Sequence, residues 1–152
     1  MSPTKETSLG PVPTMSLLAF VSGFVDTLSF IALFGLFAAH VTGNFVLIAT
    51  SLAEFRHGLW IKLLAIPTFV IAAVLTRSYI IRRERYERDA AAHVLLGQSI
   101  LLAVFMAVAA WHTPFTHHED PSAIITALLA ACAMAIQNTA ARTFLSGCRR
   151  PP

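Results

Sequence analysis

Residues 15–39 read MSLLAFVSGFVDTLSFIALFGLFAA, an apolar run that a few polar side chains interrupt. A helix needs about 20 apolar residues to cross the roughly 30 Å hydrocarbon core of a bilayer. This run therefore predicts a membrane-spanning helix. Three further runs of spanning length cover residues 59–81, 90–111 and 122–145, and a shorter run covers residues 45–53.

The composition of the whole chain agrees with this interpretation. Of 152 residues, 56% are hydrophobic and 12% are charged, whereas soluble domains carry about 25% charged residues. A very apolar soluble bundle is the alternative, but it would have too few polar groups to cover its surface. The chain is predicted to be an all-α membrane protein with four to five transmembrane or partly membrane-embedded helices. Residues 15–147 would form one polytopic domain, between a disordered tail at 1–14 and a C-terminal tail at 148–152.

Basic residues mark the sides of the membrane. They cluster at the ends of apolar runs, notably at 77–88 and after residue 141, whereas residues 112–120 contain neither Lys nor Arg. Because cytoplasmic loops carry the excess of Lys and Arg, the C-terminus is predicted to be cytoplasmic. If 45–53 is re-entrant, the chain crosses four times and the N-terminus is also inside; if 45–53 crosses, there are five spans. We favour four. This clustering indicates a lipid bilayer as partner and no nucleic acid.

The first helix is predicted to break near Thr42-Gly43-Asn44, because Gly and Asn tolerate left-handed backbone angles. Such a break at membrane depth leaves backbone groups that protein or water must satisfy. Transporters build substrate sites from broken helices of this kind, so these three residues are candidates for binding a substrate. A simple turn at the membrane surface is the alternative.

Asp26 is the most unusual residue of the first run, because a carboxylate inside an apolar span is costly unless it is paired or hydrated. It shares a helix face with Ser22 and Ser29, and Gly23 lies beside it. The functional interpretation is a site for a cation, a proton or a polar substrate. The structural alternative is a buried carboxylate that holds helices together.

The last apolar run carries Gln137 and Asn138, and Asn138 lies on a stripe that also includes small residues and Arg142. Small residues allow close helix packing, and amides can bridge helices. Gln137 and Asn138 are therefore either part of a pocket with Asp26 or links between helices. An ion pair between Asp26 and Arg142 is a further hypothesis.

No nucleophile–base pair, metal motif or phosphate-binding loop stands out in the sequence. We therefore expect no catalytic residues, no metal site and no cofactor. Cys132 and Cys148 are expected at different depths, so a disulfide between them is not predicted.

Three elements carry a family resemblance: Gly23-Phe24-Val25-Asp26, Val41-Thr42-Gly43-Asn44 and Ala133-Met134-Ala135-Ile136-Gln137-Asn138. They resemble, in order, elements of the YoaK family of bacterial inner-membrane proteins, whose function is unknown. Ala135 stands where that family usually has Gly. The resemblance implies a location in the bacterial inner membrane. It also implies that the chain is shortened at its C-terminus, so that a second copy or a missing-half partner covers an open helix face.

Two functions fit these features. The leading hypothesis is a small-molecule permease or transport-related protein with a site around Asp26, for a ligand that the sequence does not identify. The alternative is a non-transporting membrane scaffold or assembly partner. Without a recognisable catalytic motif, an intramembrane enzyme is not expected.

Overall fold

The computed structural model describes residues 11–53, 58–85, 90–115, 117 and 120–148, and regular structure within these ranges is helical. In chain order the helices are α1 (Pro11–Ala32), α2 (Val41–Ala53), α3 (Leu59–Arg85), α4 (Ala91–His112) and α5 (Pro121–Cys148). This confirms the predicted all-helical class. The proposed tails fall mostly outside the described residues, but Pro11–Thr14 belongs to α1 and Cys148 ends α5.

Helix α5 lies at the centre of the bundle and packs against α1, α3 and α4. Its apolar stretch is 56% buried, against 17–22% for the other long helices. Alanines supply most of its buried surface, including Ala123, Ala127, Ala130, Ala131 and Ala135. Small side chains let neighbouring helices approach closely, so the small-residue stripe of the sequence serves the internal packing of this chain.

Four helices, α1, α3, α4 and α5, are long and apolar enough to cross a membrane. Their outward faces carry many exposed apolar side chains, such as Phe20, Ile71, Leu96 and Trp111. An apolar surface of this extent is typical of a protein whose solvent is lipid. The fold is therefore consistent with a multi-pass membrane protein.

Helix α1 ends earlier than the predicted run 15–39. Phe34 and Gly35 adopt positive φ angles of 55° and 75°, and the Gly35 N–H donates to the Phe30 carbonyl at 3.0 Å. This is the closing bond of a Schellman motif, with a left-handed residue just after the helix. The break therefore comprises residues 33–40, and Thr42-Gly43-Asn44 lies just after it, in the first turn of α2.

The chain departs from the end of α1 at Leu33 and lies beside that end again at Gly58. Segment 33–40 runs back along α1, because Ala39 and His40 contact Asp26, six residues before the helix ends. The chain then returns through α2. Lys62 Nζ donates to the carbonyls of Phe34 at 3.1 Å and of Gly58 at 3.5 Å, so the two ends of this excursion lie side by side. We call the described residues of this excursion, 33–53 and 58, the re-entrant segment.

Helix α2 forms the returning limb of the re-entrant segment. Its 13 residues extend about 20 Å at the usual helical rise, which is short of the roughly 30 Å of a bilayer core. It packs against α3. Its N-terminus lies near Asp26, about 9 Å from the end of α1 by helical rise, and therefore at the depth of a membrane-spanning helix.

Candidate functional site

Asp26 holds the non-helical limb of the re-entrant segment, residues 33–40, against α1. Its Oδ1 accepts the backbone N–H of Ala39 at 2.6 Å, and its Oδ2 is hydrogen-bonded to His40 Nδ1. The Asp26 side chain is 7% exposed, whereas the His40 ring is 67% exposed. Both carboxylate oxygens are thus engaged, and a backbone N–H at membrane depth is satisfied, as the apolar environment requires.

Asn44 performs a similar task one turn into α2. It is 1% exposed; its Oδ1 accepts the Phe37 N–H at 2.9 Å and its Nδ2 donates to the Phe37 carbonyl at 2.7 Å. The amide therefore replaces both of the backbone hydrogen bonds that Phe37 would have in a helix. Asp26 and Asn44 together explain how the non-helical limb is accommodated alongside α1.

The other residues of the Thr-Gly-Asn element have different environments. Thr42 is exposed. Gly43 lies against the Phe37 ring, where an added Cβ would be 2.8 Å from Phe37 Cδ2. Gly43 therefore allows a close approach between α2 and the non-helical limb. Thr42 takes no part in the contacts described for Asp26 and Asn44.

A cleft of about 250 Å³ lies between α1 and α5. Its polar lining comes from Ser22 of α1 and from Gln137 and Asn138 of α5, and Ala39 of the re-entrant segment also borders it. Because Ala39 is the residue whose N–H binds Asp26, the cleft and the Asp26 anchor share one residue. The structure thus brings Gln137 and Asn138 near the Asp26 region, with Ala39 between them.

Gln137 links three helices through a directional chain of hydrogen bonds. Its Nε2 donates to the Leu18 carbonyl of α1 at 2.6 Å, and its Oε1 accepts from Gln98 Nε2 of α4 at 2.6 Å. The Leu18 carbonyl can only accept, which determines the orientation of both amides. Gln98 Oε1 is consequently buried without a hydrogen-bond partner among the described residues.

Arg142 does not pair with Asp26. Its Nε donates to Asn138 Oδ1 at 3.0 Å, one turn earlier on α5, and its side chain is exposed. Asp26 is paired with His40 instead. The sequence-based hypothesis of an Asp26–Arg142 ion pair is therefore replaced by two shorter-range contacts.

Gly23, the remaining sequence candidate, faces outward. A Cβ added there would meet nothing within 4 Å outside its own helix, and its carbonyl accepts a hydrogen bond from Thr27 Oγ1 at 2.8 Å. Gly23 thus makes no close helix approach in the described part of the chain.

Three important residues were not candidates in the sequence. His40 directly precedes the Val-Thr-Gly-Asn element, and its position beside the break was the available signal. Gln98 is an amide inside an apolar run, which is the signal that identified Gln137. Lys62 looks like an interfacial anchor, yet it is 4% exposed and binds backbone carbonyls. Its partners come from Phe34 and Gly58, and only the turn geometry reveals them.

Within the described residues, no three His, Cys, Asp or Glu side chains come together as metal ligands would. No curated protein and no solved structure matches the chain. The model of one family, described as "Protein of unknown function (DUF1275)", matches residues 14–149. That range includes the re-entrant segment, its anchor Asp26 and the α1–α5 cleft, and the chain therefore belongs to the DUF1275 family.

Proposed function

We propose that this chain is a transport-related protein of the bacterial cytoplasmic membrane, with the re-entrant segment and the α1–α5 cleft as its solute site. The observation that carries the proposal is a non-helical limb that lies alongside α1, a helix of spanning length, and is anchored by the Asp26 carboxylate beside a polar-lined cleft. Non-helical backbone at this depth is tolerated where protein or a water-filled cavity satisfies it, and transporters commonly place their sites at such breaks.

The proposal includes the arrangement of the chain in the bilayer. The likeness to YoaK-type sequences supports the inner membrane of bacteria, and the arginines of α3 and α5 support a cytoplasmic C-terminus. The role that we propose needs no catalytic residue and no cofactor. A second copy of the chain is the proposed partner, because α1, α3 and α4 carry wide apolar faces.

Flux through proteoliposomes tests this function. The purified protein is reconstituted, and swelling or uptake is measured for glycerol, acetamide, acetate, ammonium and K⁺. Protein-dependent flux of at least one solute is expected. In Asp26→Asn the amide retains only one acceptor oxygen, so the anchor of Ala39 and His40 weakens. Because a charge-assisted hydrogen bond is lost, we expect the solute flux of Asp26→Asn to be lower than that of the unchanged protein by about tenfold.

Thr27→Val is the matched control, because Thr27 neighbours Asp26 but is exposed and bonds only within α1. Its flux should equal that of the unchanged protein. Absence of flux for all five solutes, or flux that Asp26→Asn leaves unchanged, would contradict the proposal.

A non-transporting scaffold is the second candidate function. It is favoured by the fact that Asp26, Asn44 and Gln137 all bind groups of this chain itself, as side chains with a purely structural role do. A stoichiometric partner protein recovered from native membranes, together with the absence of flux for all five solutes, would support this candidate over transport.

A further inference from the structure

The class of solute can be inferred from the groups that line the α1–α5 cleft. Those identified among the described residues are apolar side chains, the hydroxyl of Ser22 and the amides of Gln137 and Asn138; no charged side chain is among them. Transfer of an ion into such a site without a charged partner is very costly, whereas hydroxyl and amide groups satisfy a neutral polar molecule.

Two charged residues contact residues that line the cleft, and both are already engaged. Asp26, reached through Ala39, has both oxygens occupied by the Ala39 N–H and by His40. Arg142 lies on the other side, exposed, and donates to Asn138 Oδ1. Neither charge is therefore presented to the cleft as an unpaired binding group.

Hydrogen-bonding capacity remains at the amides. Asn138 Nδ2 has no hydrogen-bond partner in the described part of the chain, while Asn138 Oδ1 is used by Arg142. Gln137 uses one N–H for Leu18 and one lone pair for Gln98, which leaves one N–H and one lone pair. The available groups thus include both donors and acceptors.

The volume limits the size of the solute. The cleft measures about 250 Å³, which is below the roughly 300–1,000 Å³ of sites that enclose drug-sized ligands. We propose that the α1–α5 cleft binds a small uncharged solute with hydrogen-bonding groups, of the size and polarity of a short polyol or a simple amide. This inference rests on the proposed function, since it names the substrate class of the same site.

Saturation-transfer NMR on the purified full chain in detergent tests the inference. Acetamide and acetate are the key pair of probes, since they share shape and differ in charge; glycerol and methylammonium extend the comparison. Transfer to acetamide and glycerol is expected to exceed transfer to both ions. Asn138→Leu removes an unpaired donor, so acetamide affinity should fall about fivefold, the value of one hydrogen bond.

Two further variants separate binding from folding. Ala19→Leu narrows the cleft from an exposed position on α1, and this variant should abolish transfer to acetamide. Ser99→Ala changes an exposed hydroxyl on α4 that bonds only to the Leu95 carbonyl, and it should bind acetamide normally.

Stronger transfer to acetate or methylammonium, or transfer to none of the four probes, would overturn the inference. Acetamide affinity that is unchanged in Asn138→Leu, together with acetamide transfer that survives in Ala19→Leu, would also overturn it. The proteoliposome assay tests the proposed function separately: acetamide binding without flux of any solute leaves this inference standing and rejects transport.

Discussion

Asn44 is a buried amide whose two polar atoms both bind the backbone of a single residue, Phe37. It lies where the non-helical limb of the re-entrant segment runs beside α1. Water cannot substitute for a lost partner inside an apolar environment, so each freed backbone group retains its full desolvation cost. The stability of the re-entrant segment should therefore depend strongly on this one side chain.

We expect Asn44→Leu to destabilise the protein by roughly 2–5 kcal/mol, because it leaves the buried N–H and C=O of Phe37 unpaired at a cost of about 1–3 kcal/mol each. Reversible unfolding in mixed micelles measures the free energy. Thr50→Val is the matched control on the same helix: Thr50 is exposed and bonds only to the Leu47 carbonyl, so its effect should stay within about 0.5 kcal/mol. Equal losses in the two variants would refute this role for Asn44.

Asp26, Gln137 and Asn138 are identified in the sequence as polar groups inside apolar runs, and Asn44 is identified as part of the predicted Thr-Gly-Asn break. The sequence could not identify their partners. Asp26 binds Ala39 and His40, thirteen and fourteen residues later, which requires the chain to turn back along α1. Helical spacing relates side chains on one helix only. It therefore gives no sign that Ala39 and His40 fold back onto Asp26, and Arg142 was the partner considered instead.

At the scale of elements, the re-entrant segment is held at three places: by Lys62 at its ends, by Asp26 at Ala39 and His40, and by the Phe37 ring, which contacts both α1 and α2. The Phe37 ring packs on Phe30 with centroids 5.0 Å apart and covers Gly43. The Phe37 ring, which belongs to the non-helical limb, thus fills the space between α1 and α2. The fit leaves no room for a methyl group at position 43.

We expect Gly43→Ala to cost about 1–3 kcal/mol, the usual range for overpacking, because the new Cβ would lie 2.8 Å from Phe37 Cδ2. Unfolding free energies in micelles measure this cost. Phe37→Leu, combined with Gly43→Ala, should recover part of the loss, because the smaller side chain removes the clash.

Gly97→Ala is the control for Gly43→Ala, because an added Cβ on α4 meets nothing within 4 Å outside its own helix. Alanine has the higher helix propensity, so this variant should be neutral or slightly stabilised. A neutral Gly43→Ala, or a double variant less stable than the additive sum of its parts, would contradict the close approach of Gly43 to Phe37.

Long helices are the elements that the sequence predicts best, since their length and apolar character are set locally. The runs 59–81, 90–111 and 122–145 correspond to α3, α4 and α5. The end of α1 differs by several residues, because Phe34 takes a left-handed angle that non-glycine residues seldom adopt. An apolar run continues through residues 33–39, so hydrophobicity alone cannot reveal where the helix stops.

At the scale of the whole molecule, the re-entrant segment determines how many times the chain crosses the bilayer. Lys62 binds both Phe34 and Gly58, so the chain leaves and rejoins the bundle at the same end of α1. Lys62 is also buried by this arrangement, which explains why a basic residue can lie at the start of α3 without marking that end as cytoplasmic. Together with four spanning helices, this geometry predicts that both termini face one side.

Cysteine labelling of inside-out and right-side-out vesicles tests this topology. With the native cysteines replaced, single cysteines are introduced at Val12, at the start of α1, and at Leu52, near the end of α2; both positions are exposed. Because α2 returns to the end of α1 from which the segment departs, an impermeant maleimide should label these two positions from opposite sides. Trp111→Cys, at the end of α4, should be labelled from the same side as Leu52→Cys. If α2 crossed the bilayer, Val12→Cys and Leu52→Cys would react from the same side, and the re-entrant arrangement would be wrong.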